Sequence, residues 1–357
     1  MVVPHAQIPP ADTAQSLLTP TQLDIIAALQ VAPRAPHSAL AEVLDIPRST
    51  LTRQILHLID SKLVRLIGRY DWPLVTDGMP SQLWIRCHPG CTRKVLDELR
   101  RFNEIQFLIL TTGSIDIYAD IYPLRGSDIQ NLTTSVIPAI PGISSIQTHL
   151  VLKTTKVGQS WRLNRLSEAQ VTKLEQFCEP VVREPFADIS ELSGLEYRIL
   201  RRLGSDIRVS SGELARTLSV SSSTVYRTIQ TLLQSGAVSP RVEIEPAALG
   251  YGLNVIIAMQ VDPRAIPAVL EGLTAHPSSR MVSMVTGSAS VVYSGVFRNE
   301  NELAQFIVVG LGELDGIRAL DVSVGRDVVR RYWMDRSGVR LGEQKMILPP
   351  HSEEHSN

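Results

Sequence analysis

Sliding the chain along itself until Ser38 falls on Gly212 brings two stretches into register: SALAEVLDIPRSTLTRQILHLIDSKLV at 38–64 and GELARTLSVSSSTVYRTIQTLLQSGAV at 212–238. Leu40 meets Leu214, Ala41 meets Ala215 and Leu44 meets Leu218. Ser49-Thr50 meets Ser223-Thr224, and Arg53, Ile55 and Leu58 meet Arg227, Ile229 and Leu232. Of the 47 positions from 18 to 64, 14 are identical at this shift. The offset then holds without a gap, pairing Pro89 with Pro263, Thr112-Gly113-Ser114 with Thr286-Gly287-Ser288, and Gly142-Ile143 with Gly316-Ile317. Whatever one half folds into, the other must fold into as well. The chain reads as a tandem duplication of a two-part unit, and 357 residues are ample for several domains.

Each unit opens with a helical third. Thr19-Pro20-Thr21-Gln22 offers Thr at the N-cap, Pro at the first helical position and Gln at the third, and Ser193 with Glu196 repeats the capping box. The spacing of Leu23, Ile26, Ala27 and Leu29, and of Tyr197, Leu200 and Leu203, follows the helical period. Second helices are expected near 37–44 and 211–218, and third helices near 48–60 and 222–235. Short turns at Asp45-Ile46-Pro47 and Ser219-Val220-Ser221 precede the third helices. That is the helix-turn-helix layout. Leu63 to Arg69 and Ala237 to Glu245 read as strands of a wing or linker.

The later part of each unit alternates differently. Strands are expected at 82–87 and 254–261, then helices from Pro89 to Phe102 and Pro263 to Ala275 with Pro in the first turn. Strand pairs follow at 104–111 with 115–121 and at 279–285 with 289–297, each joined by a Thr-Gly-Ser turn whose glycine can take a positive φ. Helices near 126–137 and 300–312 and final strands near 144–154 and 318–329 complete β-α-β-β-α-β, the ferredoxin-like order. The expected fold class is α+β, with two winged helix-turn-helix domains and two ferredoxin-like βαββαβ domains in tandem. The expected boundaries are 16–68 and 80–155, a linker at 156–189 whose Ser167 to Phe177 forms a capped helix, then 190–245 and 252–332. A tail follows at 349–357.

A helix-turn-helix followed by β-α-β-β-α-β resembles the Lrp/AsnC family of bacterial and archaeal transcriptional regulators. The likeness rests on LAEVLDIPRSTLTRQILHLIDSKLV, on LARTLSVSSSTVYRTIQTLLQSGAV and on the turn Thr112-Gly113-Ser114-Ile115-Asp116. It implies double-stranded DNA as one partner, an amino acid or related small metabolite as effector, and self-association of the sensor modules into oligomers. This chain departs from the family in carrying Gln54 and Thr228 where Arg is common, and Lys62 where Gly is common. Most members carry one unit and dimerise, so the chain looks like a fused dimer whose sensor modules pack sheet against sheet.

The expected DNA-contacting residues are Arg48, Ser49, Thr50, Thr52 and Arg53 in the first head. In the second they are Ser221, Ser222, Ser223, Thr224, Tyr226 and Arg227. Hydroxyls and helix N–H groups donate to phosphate, and Arg can fork onto guanine. The plainer alternative makes the hydroxyls N-caps and the arginines solvated. The whole chain holds 35 Lys+Arg against 36 Asp+Glu, which excludes a uniformly basic nucleic-acid coat. Locally the balance shifts: windows 18–67 and 192–241 carry five basic against four acidic residues, and seven against three. The second head is therefore the more basic.

The expected effector residues are Thr112, Gly113, Ser114 and Asp116, with Thr286, Gly287 and Ser288. Backbone N–H groups of such a turn can face a carboxylate, and Asp116 an ammonium. Its counterpart is Ser290, so the two turns differ chemically; a plain hairpin is the simpler alternative. Cys87, His88 and Cys91 are the one metal-like cluster, but unit two offers only Val261, Asp262 and Ala265 there, so no metal is expected. No cofactor is expected either, because P-loop, G-x-G-x-x-G and G-x-S-x-G signatures are missing. No apolar run approaches the ~20 residues that span a bilayer, Met1 to Asp12 lacks the basic start of a secretory leader, and three cysteines make no disulfide framework. A cytoplasmic protein with no membrane partner is expected. Sirohaem decarboxylases also resemble Lrp/AsnC proteins and some are fused in tandem. They depend on His and Arg around an anionic tetrapyrrole, whereas only His88, His149 and His276 stand in these sensor modules. A sensor or scaffold with weakened DNA binding is the third possibility.

Overall fold

The computed structural model describes residues 17–351. The expectations for Met1 to Asp12, for residue 16 and for the end of the tail lie outside them. Head one consists of α1 (Pro20–Val31), α2 (His37–Leu44), α3 (Arg48–Asp60) and β1 (Arg65–Tyr70), followed by the single turn α4 (Trp72–Val75). Both halves of the Thr19–Gln22 capping box form, at 2.9 and 3.3 Å. Leu23, Ile26, Leu40, Leu51, Ile55 and Leu58 are buried together, which closes three helices on one core. Sensor one follows as β2 (Ser81–Cys87), α5 (Thr92–Leu99), β3 (Ile105–Thr112), β4 (Ile117–Ile121), α6 (Ile129–Asn131) and β5 (Ile143–Lys156).

After the linker helix α7 (Glu168–Glu175), the order repeats. Head two is α8 (Gly194–Ser205), α9 (Ser211–Leu218), α10 (Ser222–Gln234) and β6 (Val238–Glu243). Sensor two is β7 (Leu253–Val261), α11 (Ile266–Ala275), β8 (Ser279–Val285), β9 (Val291–Phe297), α12 (Glu300–Gln305) and β10 (Ile317–Arg331). A hairpin of β11 (Met334–Ser337) and β12 (Arg340–Gln344) ends the described chain.

Each sensor has the ferredoxin-like strand order, β3-β4-β2-β5 and β8-β9-β7-β10. The sheets join at both edges. β5 pairs with β8 through Val151–Val285, Lys153–Met284, Thr154–Ser283 and Lys156–Val282. β10 pairs with β3 through Gly325–Thr111, Asp327–Leu110, Val328–Ile109 and Arg330–Leu108. These are the same four pairings carried over by the repeat offset, with irregularities at the same steps. Eight strands therefore close on themselves, and Trp84, Phe107, Ile109, Tyr118, Val151, Ile256, Val285 and Val292 fill the space between the two faces. Helices α5 and α11 cover the outer faces over separate apolar cores.

The wing strands do something the local pattern does not announce: β1 and β6 pair with each other, antiparallel, from Arg65–Glu243 to Tyr70–Val238. Across the same contact, Arg34 donates to the Ile207 carbonyl and Arg208 to the Ala35 carbonyl. The two heads therefore share one core. The linker is docked rather than slack. Arg165 Nε meets Asp24 at 2.6 Å, Leu163 N donates to Gln30 at 2.9 Å, and Gln170 donates to the Val43 carbonyl at 2.9 Å.

Three expectations need correction, and one stretch without an expectation gains a structure. The helices expected from Pro89 and Pro263 begin at Thr92 and Ile266, because turns at His88–Cys91 and Asp262–Ala265 come first and Gly90 holds a φ of 80°. The helices expected to 137 and 312 finish as π-helical turns, Leu132–Val136 and Phe306–Gly310. Residues 334–344, unassigned from sequence, form the terminal hairpin: a two-residue turn at Tyr332 and Trp333, with φ of 51° and 55°, leads from β10 into β11, and a second at Gly338 and Val339 joins β11 to β12. Pro349 to His351 are packed rather than a free tail: Tyr197 donates to the Pro349 carbonyl at 3.1 Å, and His351 Nε2 lies 2.8 Å from the Leu192 carbonyl.

Candidate functional sites

In both heads the third helix buries one stripe and exposes the other. Leu51, Ile55 and Leu58 face the core, as do Val225, Ile229 and Leu232. The opposite face of α3 presents Arg48, Ser49 and Arg53, with Thr50 and Thr52 half-buried. Leu56 and His57, which the sequence reading passed over, are exposed beside them. On α10, Ser222, Ser223, Thr224, Tyr226 and Arg227 are all exposed. Helical spacing sets this division, so the arginines at equivalent positions stand clear of the core in both heads.

Several hydroxyls already have structural work. Ser221 is the N-cap of α10 and accepts from Thr224 N at 3.1 Å, while its hydroxyl also lies 2.7 Å from that of Thr224. Thr52 lies 3.1 Å from His37 Nδ1, and burial, then Arg208 and Arg48, hold that imidazole below its ordinary pKa. Gln54 accepts from Gln22 at 3.0 Å, locking α3 to α1. Arg53 and Arg227 have no such partner among the described hydrogen bonds and ion pairs, which leaves both free for a ligand.

The two sensor turns each rest on the last strand of the other unit. Thr112 donates to the Val324 carbonyl at 3.3 Å. Thr286 exchanges bonds with Leu150, its hydroxyl accepting from Leu150 N at 2.9 Å. Gly113 and Gly287 hold φ of 128° and 97°, where a side chain is strained. A Cβ on Gly287 would also meet the His149 ring. Asp116 and Ser290 play the same part, since each accepts from the N–H ending the sensor's first strand, Cys87 at 2.8 Å and Val261 at 3.0 Å. One carboxylate oxygen of Asp116 is thus committed to the backbone.

A set of charged residues invisible to the sequence reading lies where the β1–β6 ribbon meets the sensors. Arg331 forks onto Glu245 at 3.2 Å and donates to Asn254 at 2.8 Å. Arg336 bonds both Glu243 and Glu245, and Arg241 reaches Glu243 at 2.7 Å. Burial alone would raise the Glu243 carboxyl, but Arg241 and Arg336 overcome it and hold the group below its ordinary range. The available signal was Arg330-Arg331 inside an otherwise strand-like run. Cys87, His88 and Cys91 form a strand end and a turn, and among the described residues no group of three or more His, Cys, Asp or Glu is placed to hold a metal.

Three stretches of the chain match known protein families. Residues 18–65 match a family described as winged helix-turn-helix DNA-binding, and 196–252 match a helix-turn-helix domain. Residues 82–161 match the Lrp/AsnC ligand binding domain. An uncharacterized HTH-type transcriptional regulator of Pyrococcus abyssi is 30% identical over 135 residues, which is 38% of this chain and 85% of that protein. The HTH-type transcriptional regulator LrpA of Pyrococcus horikoshii is 27% identical over 120 residues, covering 33% and 85%. Most of a relative's length therefore corresponds to two fifths or less of this chain. Among solved structures, the siroheme decarboxylase NirDL superposes with a TM-score of 0.57 at 12% identity, over 89% of this chain and 94% of that one. At that identity the likeness is one of fold, and it spans both units.

Proposed function

The chain belongs to the Lrp/AsnC family of transcriptional regulators, and from that premise we propose that both of its heads read DNA from one rigid, internally paired scaffold. The observation that carries this reading is the exposure of Arg53 and Arg227 at equivalent positions of α3 and α10, on heads that share a core. An arginine on the exposed face of a recognition helix can fork onto a guanine or meet a phosphate. Arg48, Ser49, Tyr226 and the α10 hydroxyls would supply the flanking contacts. A small effector, an amino acid or related metabolite, would act near Thr112–Asp116 and Thr286–Ser290, because those turns sit on the seams between the units. Association of such pseudo-dimers into larger oligomers, and action in the cytoplasm, belong to the same reading. Among the described residues no helix is long and apolar enough to cross a membrane.

Selection and sequencing of DNA bound by the purified protein tests it. A defined motif is expected, and the paired substitutions Arg53→Ala and Arg227→Ala should abolish its recovery. Recovery of random DNA alone would end the proposal.

The fold likeness to a decarboxylase raises an enzymatic second reading. Against it, the cavity beside the β1–β6 ribbon is about 120 Å³, well below the ~300–1,000 Å³ of pockets that enclose drug-sized ligands. A tetrapyrrole does not fit there. His149 Nδ1 lies 2.7 Å from the Thr286 carbonyl, and His276 lies 2.6 Å from the Ser278 hydroxyl. A Soret band in the purified protein would favour the enzyme.

A further inference from the structure

Between the β1–β6 ribbon and the sensor sheets lies that cavity of about 120 Å³. Its walls include Arg69 and Arg241 from the ribbon, Asp120 from β4, Arg280 from β8, Ser294 from β9 and Arg331 from β10. Three of the four arginines have partners. Arg69 donates to Ser239 at 3.3 Å, Arg241 pairs with Glu243, and Arg331 forks onto Glu245. Arg280 does not. It is 7% exposed, its Nε has no hydrogen-bond partner, and no ion pair reaches it among the described residues. Its guanidinium carbon instead lies 5.1 Å from the centre of the Trp161 ring.

The charge around it does not balance. Arg241, Arg280, Arg331 and Arg336 are gathered about two carboxylates, Glu243 and Glu245. The remaining acid, Asp120, is pushed up to about 7 by burial, against the Tyr118 hydroxyl and Arg331, so it is only partly ionised at neutral pH. Arg280 is lowered to about 9, by burial first and then by Arg331 and Arg241, and so remains a cation. Folded proteins pair buried charges because an isolated buried ion is costly. Here the missing partner is an anion.

We propose that this cavity binds a small organic carboxylate, held by the free Nε edge of Arg280. A guanidinium edge matches the two oxygens of a carboxylate in one plane. The Ser294 hydroxyl stands on the wall as a further donor, and Phe107, Tyr122 and Tyr332 give an apolar lining for the rest of the molecule. The site is distinct from the two sensor turns. Because ribbon and sensors both contribute walls, an occupant touches the heads and the sensors at once. Binding itself stands on this geometry; any effect on DNA rests on the regulator reading.

Calorimetry and thermal unfolding of the full chain, without DNA, test the site with acetate, succinate, glutamate and inorganic phosphate, against chloride. At least one carboxylate should bind saturably and raise the melting temperature. Arg280→Met should weaken it by about tenfold or more, and Arg280→Lys, which keeps the charge and loses the fork, should weaken it while leaving the fold intact. Binding by phosphate alone would overturn the carboxylate assignment. No binding by any of these anions, or binding undiminished in Arg280→Lys and Arg280→Met, would overturn the site. A carboxylate that binds yet leaves DNA affinity unchanged supports the site and overturns only its coupling to the heads.

Discussion

Ile67 of β1 and Arg241 of β6 lie directly opposite one another in the ribbon that joins the two heads, and they hold the same position in the two repeats. Only a residue on a two-fold axis can face its own equivalent. The pseudo-dyad of the molecule therefore passes between these two residues. It relates the heads, the sensor sheets and both inter-unit seams.

A chain built around an internal axis should survive being cut. Cleavage at an engineered protease site between Arg183 and Phe186 should leave the two halves bound to each other through the ribbon and both seams. The second half must run to His351, because Leu341 N donates to the Lys62 carbonyl at 2.8 Å and Trp333 Nε1 to that of Asn103 at 2.7 Å. Size-exclusion chromatography after cleavage decides it: separate elution would refute intramolecular pairing.

The more basic second head should supply more of the phosphate contacts. Arg227→Ala should cost roughly 1–3 kcal/mol of DNA affinity and about one unit of salt slope. Arg53→Ala should cost less. Binding of both variants to the selected DNA across a salt series ranks the heads, and a larger loss from Arg53→Ala would reverse the ranking.

Asp116→Ala and Ser290→Ala each remove an acceptor for a strand-end N–H, so each should lower stability by about 1 kcal/mol. Asp116→Asn separates the two roles, since its amide oxygen can still accept from Cys87 while the charge is gone. Effector binding should fall in Asp116→Asn with stability near wild type. If calorimetry with an amino-acid panel finds equal affinity in both proteins, Asp116 is a structural cap alone.

Asp120 gives stability a pH dependence of definite sign. The folded carboxyl holds its proton up to about pH 7, whereas an unfolded one releases it near ~3.9. Between those values the folded state binds more protons, so stability should fall as pH rises from about 4 to 7 and then level off. Asp120→Asn keeps an acceptor for the Tyr118 hydroxyl, 2.7 Å away, and should flatten that slope. Urea unfolding at a series of pH values reads this directly; an unchanged slope in the variant would contradict the assignment.

Lys62 holds a φ of 59° where unit two has Gly236 at 73°. A left-handed non-glycine residue costs roughly 1–2 kcal/mol, part of which a glycine returns as unfolded-state entropy. Lys62→Gly should therefore stabilise head one by up to about 1 kcal/mol in thermal unfolding, and a loss of stability would show that the lysine side chain is needed.

What could be read from the sequence was what is local or repeated. Capping boxes at Thr19 and Ser193 act within three residues, and the β-α-β-β-α-β order follows from alternation along each segment. The exposed faces of α3 and α10 follow from helical spacing. What escaped has no local signature. The partner of β1 is β6, in the other half of the chain, and Arg280 sits in a strand whose other residues look ordinary. Its lack of a counter-charge arises only when β4, β8, β10 and the ribbon meet. The terminal hairpin was missed although Gly338 marks its own turn; the turn that leads into it from β10 uses Tyr332 and Trp333, not the glycine or asparagine that usually marks such a turn.

The ribbon fixes two recognition helices that share a position but not a sequence. A homodimer placed on a palindrome looks the same from either end, so it cannot tell upstream from downstream. With Arg48-Ser49-Thr50 on one side and Ser222-Ser223-Thr224 on the other, this chain has a front and a back. Its preferred DNA should be two unlike half-sites in one order, and the protein would lie along the genome like an arrow, with a heading relative to whatever gene stands beside it.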